Sequence, residues 1–173
     1  MRPKLFKCFL LLCLLTALAD TVLASTQPSS LNIARVRVYQ NAEITLYPGA
    51  YCYGVDDAKT IHATSSSFGI FSTHKRVGMQ VTDDIDASYN EYQIAADQAV
   101  TVSLKWTDEK NGVRASCGPL GVTFYPQSGK DYDVSRGYGG ACFIQIRQLF
   151  ESMPGKAGAS LLAASPSFPC VKH

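Results

Sequence analysis

Beyond its N-terminus, this chain of 173 residues has no second long apolar run, no C-x-x-C pair and no glycine-rich nucleotide loop. Each shortage excludes something. A membrane-spanning helix needs about 20 apolar residues, so no span is expected after the leader. Zinc sites draw their cysteines and histidines at short spacing, whereas these cysteines are far apart with no histidine near them. Gly129-Lys130 lacks the upstream glycine of a phosphate loop, and Asp131 stands where Ser or Thr is required. No G-x-S-x-G is present, so a hydrolase nucleophile elbow is unsupported. Ser72 and Lys75 match S-x-x-K, but the partner motifs S-D-N and K-T-G are missing.

The N-terminus has the order of a secretory signal. Arg2, Lys4 and Lys7 precede the apolar run Cys8–Ala19, and small residues follow. Val22 and Ala24 fit the positions before a cleavage site, which sets residues 1–24 as the signal peptide. Ala17 and Ala19 fit an earlier site. The run is 12 residues, too short for an anchor. Of 16 basic and 14 acidic residues, cleavage removes three (Arg2, Lys4, Lys7) and one (Asp20), leaving 13 of each. A neutral chain has no electrostatic footprint for nucleic acid.

Six cysteines are present, and Cys8 and Cys13 leave with the signal. The remaining four, in an exported chain, read as two disulfides. Four cysteines allow three pairings. We favour Cys117–Cys142, joining two neighbouring strands 25 residues apart, with Cys52–Cys170, tying the C-terminus to an early strand.

The patterning is period-2 throughout. After a polar leader at 25–31, Ala34, Val36 and Val38 alternate with Arg35, Arg37 and Tyr39, the pattern of a half-buried strand. Ile44 and Leu46 continue it beyond Gln40-Asn41-Ala42, predicting a hairpin. Val100, Val102, Leu104 and Trp106 form the clearest strand, and Asn111-Gly112 marks the turn that follows. Separate strands are expected at 113–117 and 120–124, parted by Gly118-Pro119, and others near 132–134 and 142–146. The expected fold is all-β: a single antiparallel β-sandwich of roughly 7–9 strands at 32–152, with two disulfides and little helix. Residues 153–173 are rich in Ala, Ser, Gly and Pro and read as an irregular tail tied by Cys170.

Candidate chemistry is sparse. His62 and His74 lie in no catalytic motif and read as surface residues. Asp84, Asp86 and Ser88 have the first three spacings of a calcium loop, but Tyr89 replaces its glycine and Ala95 its glutamate, so a polar loop is expected. Tyr47, Tyr51, Tyr53, Phe68 and Phe71 read as core or strand surface before they read as a binding face. Residues 65–90 sustain no period, and long irregular segments concentrate function. Phe68, Phe71, His74, Arg76 and Met79 in that segment form the expected interaction surface.

The run Cys117, Phe124-x-Pro126-x-x-Gly129-x-x-Tyr132-x-Val134, Cys142-x-Ile144, preceded by Glu91-Tyr92-x-Ile94, resembles small exported β-sandwich proteins of Gram-negative bacteria. The resemblance covers roughly residues 91–147 and implies a fold and a periplasmic location, but no functional residue. This chain departs from it in having no lipidation cysteine and in carrying Cys170. The expected function is an exported, non-enzymatic envelope protein, periplasmic or secreted, that binds a protein or envelope ligand without a cofactor. The alternatives are an inhibitor or immunity protein against a toxin or lytic enzyme, and a small hydrolase.

Overall fold

The structure, a computed structural model, describes residues 32–64, 75–80, 82, 88–137, 142–154 and 156–171. Ten strands occur among them: β1 Ile33–Tyr39, β2 Glu43–Pro48, β3 Ile61–His62, β4 Tyr89–Ala95, β5 Val100–Lys110, β6 Val113–Phe124, β7 Asp131–Arg136, β8 Ile144–Met153, β9 Lys156–Leu161 and β10 Ser165–Ser167. They form two five-stranded sheets, ordered β4-β1-β7-β8-β9 and β10-β6-β5-β2-β3. The fold is an all-β sandwich with no helix among the described residues. Every strand pairing is antiparallel except β1 with β7.

The period-2 pattern builds the core. Ala34, Val36 and Val38 of β1 and Tyr132 and Val134 of β7 share one interior with Ile44, Leu46, Val100, Val102, Leu104 and Phe124 of the second sheet. The Phe124 and Tyr132 rings meet across it at 5.4 Å. Each fully buried large aliphatic side chain contributes about 1.5–3 kcal/mol.

Three local expectations differ from what is observed. β1 and β2 are not a hairpin: β1 pairs with β4 and β7, β2 with β3 and β5. Residues 40–42 arch between the sheets, so the two apolar rows face each other instead of lying side by side. Asn41 holds the arch, bonding the Arg136 carbonyl at 3.4 Å and accepting from its N–H at 3.1 Å. Second, β6 runs unbroken through the cis Gly118–Pro119 peptide, whose two residues bulge opposite Lys105 of β5. Proline's missing N–H is tolerated at such a bulge. Gly118 has φ +89°, and a Cβ there would strike the Leu104 carbonyl. Third, the tail holds β9 and β10, at sheet edges. Their sequences KAGASL and SPS have few strand-forming residues, because edge pairing here is made by backbone and leaves most side chains exposed.

Both disulfides pair as favoured, Cys52–Cys170 and Cys117–Cys142. The second does not join neighbouring strands. Cys117 lies on β6 and Cys142 just before β8, so the bond ties one sheet to the other. Two disulfides are the mark of an oxidising compartment. The tip of the β5–β6 hairpin has Asn111 at φ 54° and Gly112 at φ 74°, the two left-handed residues of a type I′ turn.

Candidate functional site

Alternation on β1 points Arg35, Arg37 and Tyr39 away from the core, yet Arg37 is 0% and Tyr39 3% exposed. Residues 75–80 cover them. The Lys75 carbonyl accepts from the Glu91 N–H on edge strand β4, and Thr82 bridges Ala157 on the opposite edge strand β9. An extended chain spans about 23 Å from Lys75 to Thr82, against about 19 Å for four strand spacings, so this strap reaches across the whole sheet.

A row of alternating charge holds the strap down. Glu91, Arg37, Asp133 and Arg147 lie side by side on four adjacent strands. Their successive contacts are 3.4, 3.3 and 3.0 Å. Glu91 Oε2 accepts the backbone N–H groups of Val77, Gly78 and Met79 at 2.8, 3.0 and 3.3 Å. Arg37 donates to the Gln80 carbonyl and Arg35 to that of Gly78. Arg35 also forks onto both oxygens of Asp131, each at 2.7 Å.

The two buried carboxyls respond in opposite senses. Burial raises Glu91, but the N–H groups of Val77 and Met79 and the Arg37 charge outweigh it, and its pKa lies below the ordinary value. For Asp133 burial wins over Arg37 and Arg147, and its pKa lies above. Tyr39 donates to Asp133 Oδ2 at 3.2 Å, and burial, then the Asp133 charge, push its phenol up to about 12. A group that stays protonated longer in the folded state stabilises fully below its unfolded pKa, and that stability is lost as pH rises towards the folded value. Unfolding free energy is therefore expected to fall between pH 10 and about 12. Tyr39→Phe should flatten that slope in urea titrations. An unchanged slope would remove Tyr39 as its cause.

With its charges paired on one another, and Arg37 Nε left without a partner, this row acts as a structural clamp. The surface offered to a partner lies elsewhere. Tyr51 is 67%, Tyr125 57% and Phe168 74% exposed. Three segments far apart in sequence bring them to one end of the second sheet. Ser167 Oγ donates to the Tyr51 carbonyl at 2.6 Å. The Tyr53 N–H donates to Phe168, and the Cys170 N–H returns to Tyr53. Tyr53 packs its ring on Gly121 of β6, where a Cβ would clash. The Cys52–Cys170 bond locks the same two segments. The Tyr51 and Tyr125 rings are 6.4 Å apart, and the hydrogen bond that the Tyr125 phenol donates to Tyr51 is the first cause of its raised pKa.

No family model, no curated protein and no solved structure matches this chain.

The interaction surface expected from sequence is only partly placed. Phe68, Phe71 and His74 lie outside the described residues, as do Ser72, Asp84 and Asp86. Arg76 is exposed, its guanidinium 3.7 Å from the Tyr89 ring centroid and bonded to the Tyr89 carbonyl. Met79 is a correction: it belongs to the strap that Glu91 grips and is 6% exposed, buried and not on the surface. His62 is exposed on β3. Its Nε2 lies 3.2 Å from Asp56 Oδ2 and its Nδ1 3.3 Å from Thr45 Oγ1. That order of hydroxyl, imidazole and carboxylate is laid on an open sheet surface. The Thr45 residue is 7% exposed, and His62 and Asp56 side chains are 61% and 57% exposed. Among the described residues no three metal-ligating side chains cluster.

Sequence reasoning passed over Tyr125, although its phase was legible. Leu120, Val122 and Phe124 point inward, so Tyr125 follows outward. Phe168 carries no comparable signal, because β10 is too short to show a period.

Proposed function

We propose that this chain is an exported, non-enzymatic envelope protein, periplasmic or secreted after loss of residues 1–24, and that it works as a binding module. The observation that carries the reading is the Tyr51, Tyr125 and Phe168 surface. Three aromatic side chains, each more than half exposed, are expensive to leave in water. Here they sit on segments held by a disulfide and backbone hydrogen bonds, so little side-chain and loop ordering remains to oppose association. Tyr and Phe are enriched at interface cores. The two disulfides and the leader pattern support export, and the likeness of residues 91–147 to small exported sandwiches supports the periplasm.

The test is a triple substitution, Tyr51→Ser, Tyr125→Ser and Phe168→Ser, in protein recovered from the compartment where it accumulates. Thermal unfolding should be nearly unchanged, since the rings already face solvent. Cross-linked partners, quantified by mass spectrometry against the unsubstituted chain, should drop at least about 10-fold, the effect of losing about 1.4 kcal/mol. Equal recovery from both proteins would rule this surface out as the docking site.

A further inference from the structure

At the opposite end of the second sheet, where the 40–42 arch crosses between the sheets, the surface opens into a cleft of about 470 Å3. That volume falls in the range of small-molecule sites, about 300–1,000 Å3. Gln40 and Glu43 line it from the arch side, Thr64 from beyond β3, and Lys105, Trp106 and Thr107 from β5. The six residues of β2 lie between this cleft, at Glu43, and Tyr51, beyond Pro48, so the two places are separate.

We propose that this cleft binds a neutral saccharide, stacked on Trp106. Three features select that chemistry. Trp106 is half-buried, and the Arg136 guanidinium lies 3.9 Å from its ring centroid. Arg136 and the core thereby orient the ring, and Trp106 lines the cleft with aromatic surface of the kind that packs against the C–H groups of a sugar. Around it stand an amide and two hydroxyls, from Gln40, Thr64 and Thr107, which supply both donors and acceptors. The only ionic lining groups among the described residues are Glu43 and Lys105, directly opposite each other on β2 and β5. Their charges offset each other, so the lining itself carries no net charge to select a phosphate, a carboxylate or an ammonium ligand. A purely apolar ligand would have to desolvate that pair and the amide without replacing their hydrogen bonds.

Position in the fold supports a preformed site. The extra residue of the bulge lies on β6, where Gly118 and Pro119 oppose Lys105, so Trp106 keeps the alternation of β5 and is held against the core by it. Asn41 pins the facing arch to the Arg136 backbone, the same residue that covers the tryptophan. Both walls are therefore referenced to one residue of β7.

Trp106 is the single tryptophan of the chain, so its emission reports this cleft alone. Purified protein would be titrated with glucose, N-acetylglucosamine, maltotetraose and chitotetraose, with glucuronate as the anionic arm and cyclohexanol as the apolar arm. The expected result is a saturable change in emission with at least one neutral sugar below about 10 mM, the weak end of specific binding. Gln40→Ala with Thr107→Ala, both on exposed side chains, should weaken it at least about 10-fold by calorimetry while leaving the fold intact. Trp106→Phe should weaken it further, read by calorimetry alone. Flat emission with all four neutral sugars overturns the proposal, as does tighter binding of glucuronate or cyclohexanol. The Tyr51, Tyr125 and Phe168 triple variant should bind the sugar unchanged, which separates this site from the docking surface.

Discussion

Replacing Arg37 by methionine is expected to lower the unfolding free energy by about 3–5 kcal/mol, the cost of breaking a buried ion pair by removing one partner. Methionine fills much of the space of the stem but removes the charge between Glu91 and Asp133, both within 3.4 Å of the guanidinium. Glu91 keeps its three strap N–H groups, whereas Asp133, already raised by burial, loses the largest charge opposing it and keeps Arg147, so Asp133 is left the worse of the two carboxylates. The hydrogen bond to the Gln80 carbonyl also goes, so the strap loosens at the same time. Urea unfolding would show the loss as a lower midpoint, and a loss under about 1 kcal/mol would mean that the row is solvated and the strap open. Glu91→Gln keeps an acceptor oxygen for the three strap N–H groups while deleting the charge. Combined with Arg37→Met it should cost less than the sum of the two, because each deletion relieves the other's unpaired charge.

Removing the Cys52–Cys170 bond by paired serine substitution is expected to cost about 4–5 kcal/mol, and removing Cys117–Cys142 about 3–4 kcal/mol. The order follows from loop length in the chain-entropy model, 118 residues closed by one bond and 25 by the other. The two losses should be separable by place as well as by size. Without Cys52–Cys170, the segment carrying Phe168 keeps only β10 and its few backbone bonds to Tyr53, so hydrogen exchange should rise first near residues 165–170. Without Cys117–Cys142, the two sheets keep their packed interior and exchange should rise near residue 142. The reverse ranking, with the short loop costing more, would mean that fixing sheet to sheet matters beyond the closure entropy.

The inward faces of β1, β2, β5 and β7 were legible because one-sided burial imposes a period of two, and Val36, Ile44, Val102 and Val134 fall on it. That the four cysteines make two disulfides was legible through compartment and count, which left three pairings open. The β1–β2 relation was not. Alternation states that a strand has an apolar face, and the same face serves a hairpin or an arch across the core. Arg37 shows the limit most clearly. Its position on β1 is the polar phase, and polar phase means solvent only when nothing covers the sheet. Residues 75–80 have no period of their own, and what seats them is a carboxylate from β4 accepting three strap N–H groups, a long-range contact without local pattern.

By itself, then, the chain's alternation determined that it is an all-β sandwich, and its cysteine count determined which compartment suits it, because both properties are carried residue by residue. Which strands share a sheet, which polar residues are buried and where aromatic rings reach solvent were decided only by tertiary structure. Those outcomes depend on segments such as Tyr51, Tyr125 and Phe168 meeting across more than 100 residues, where the free energy belongs to the contact and not to any one stretch of sequence.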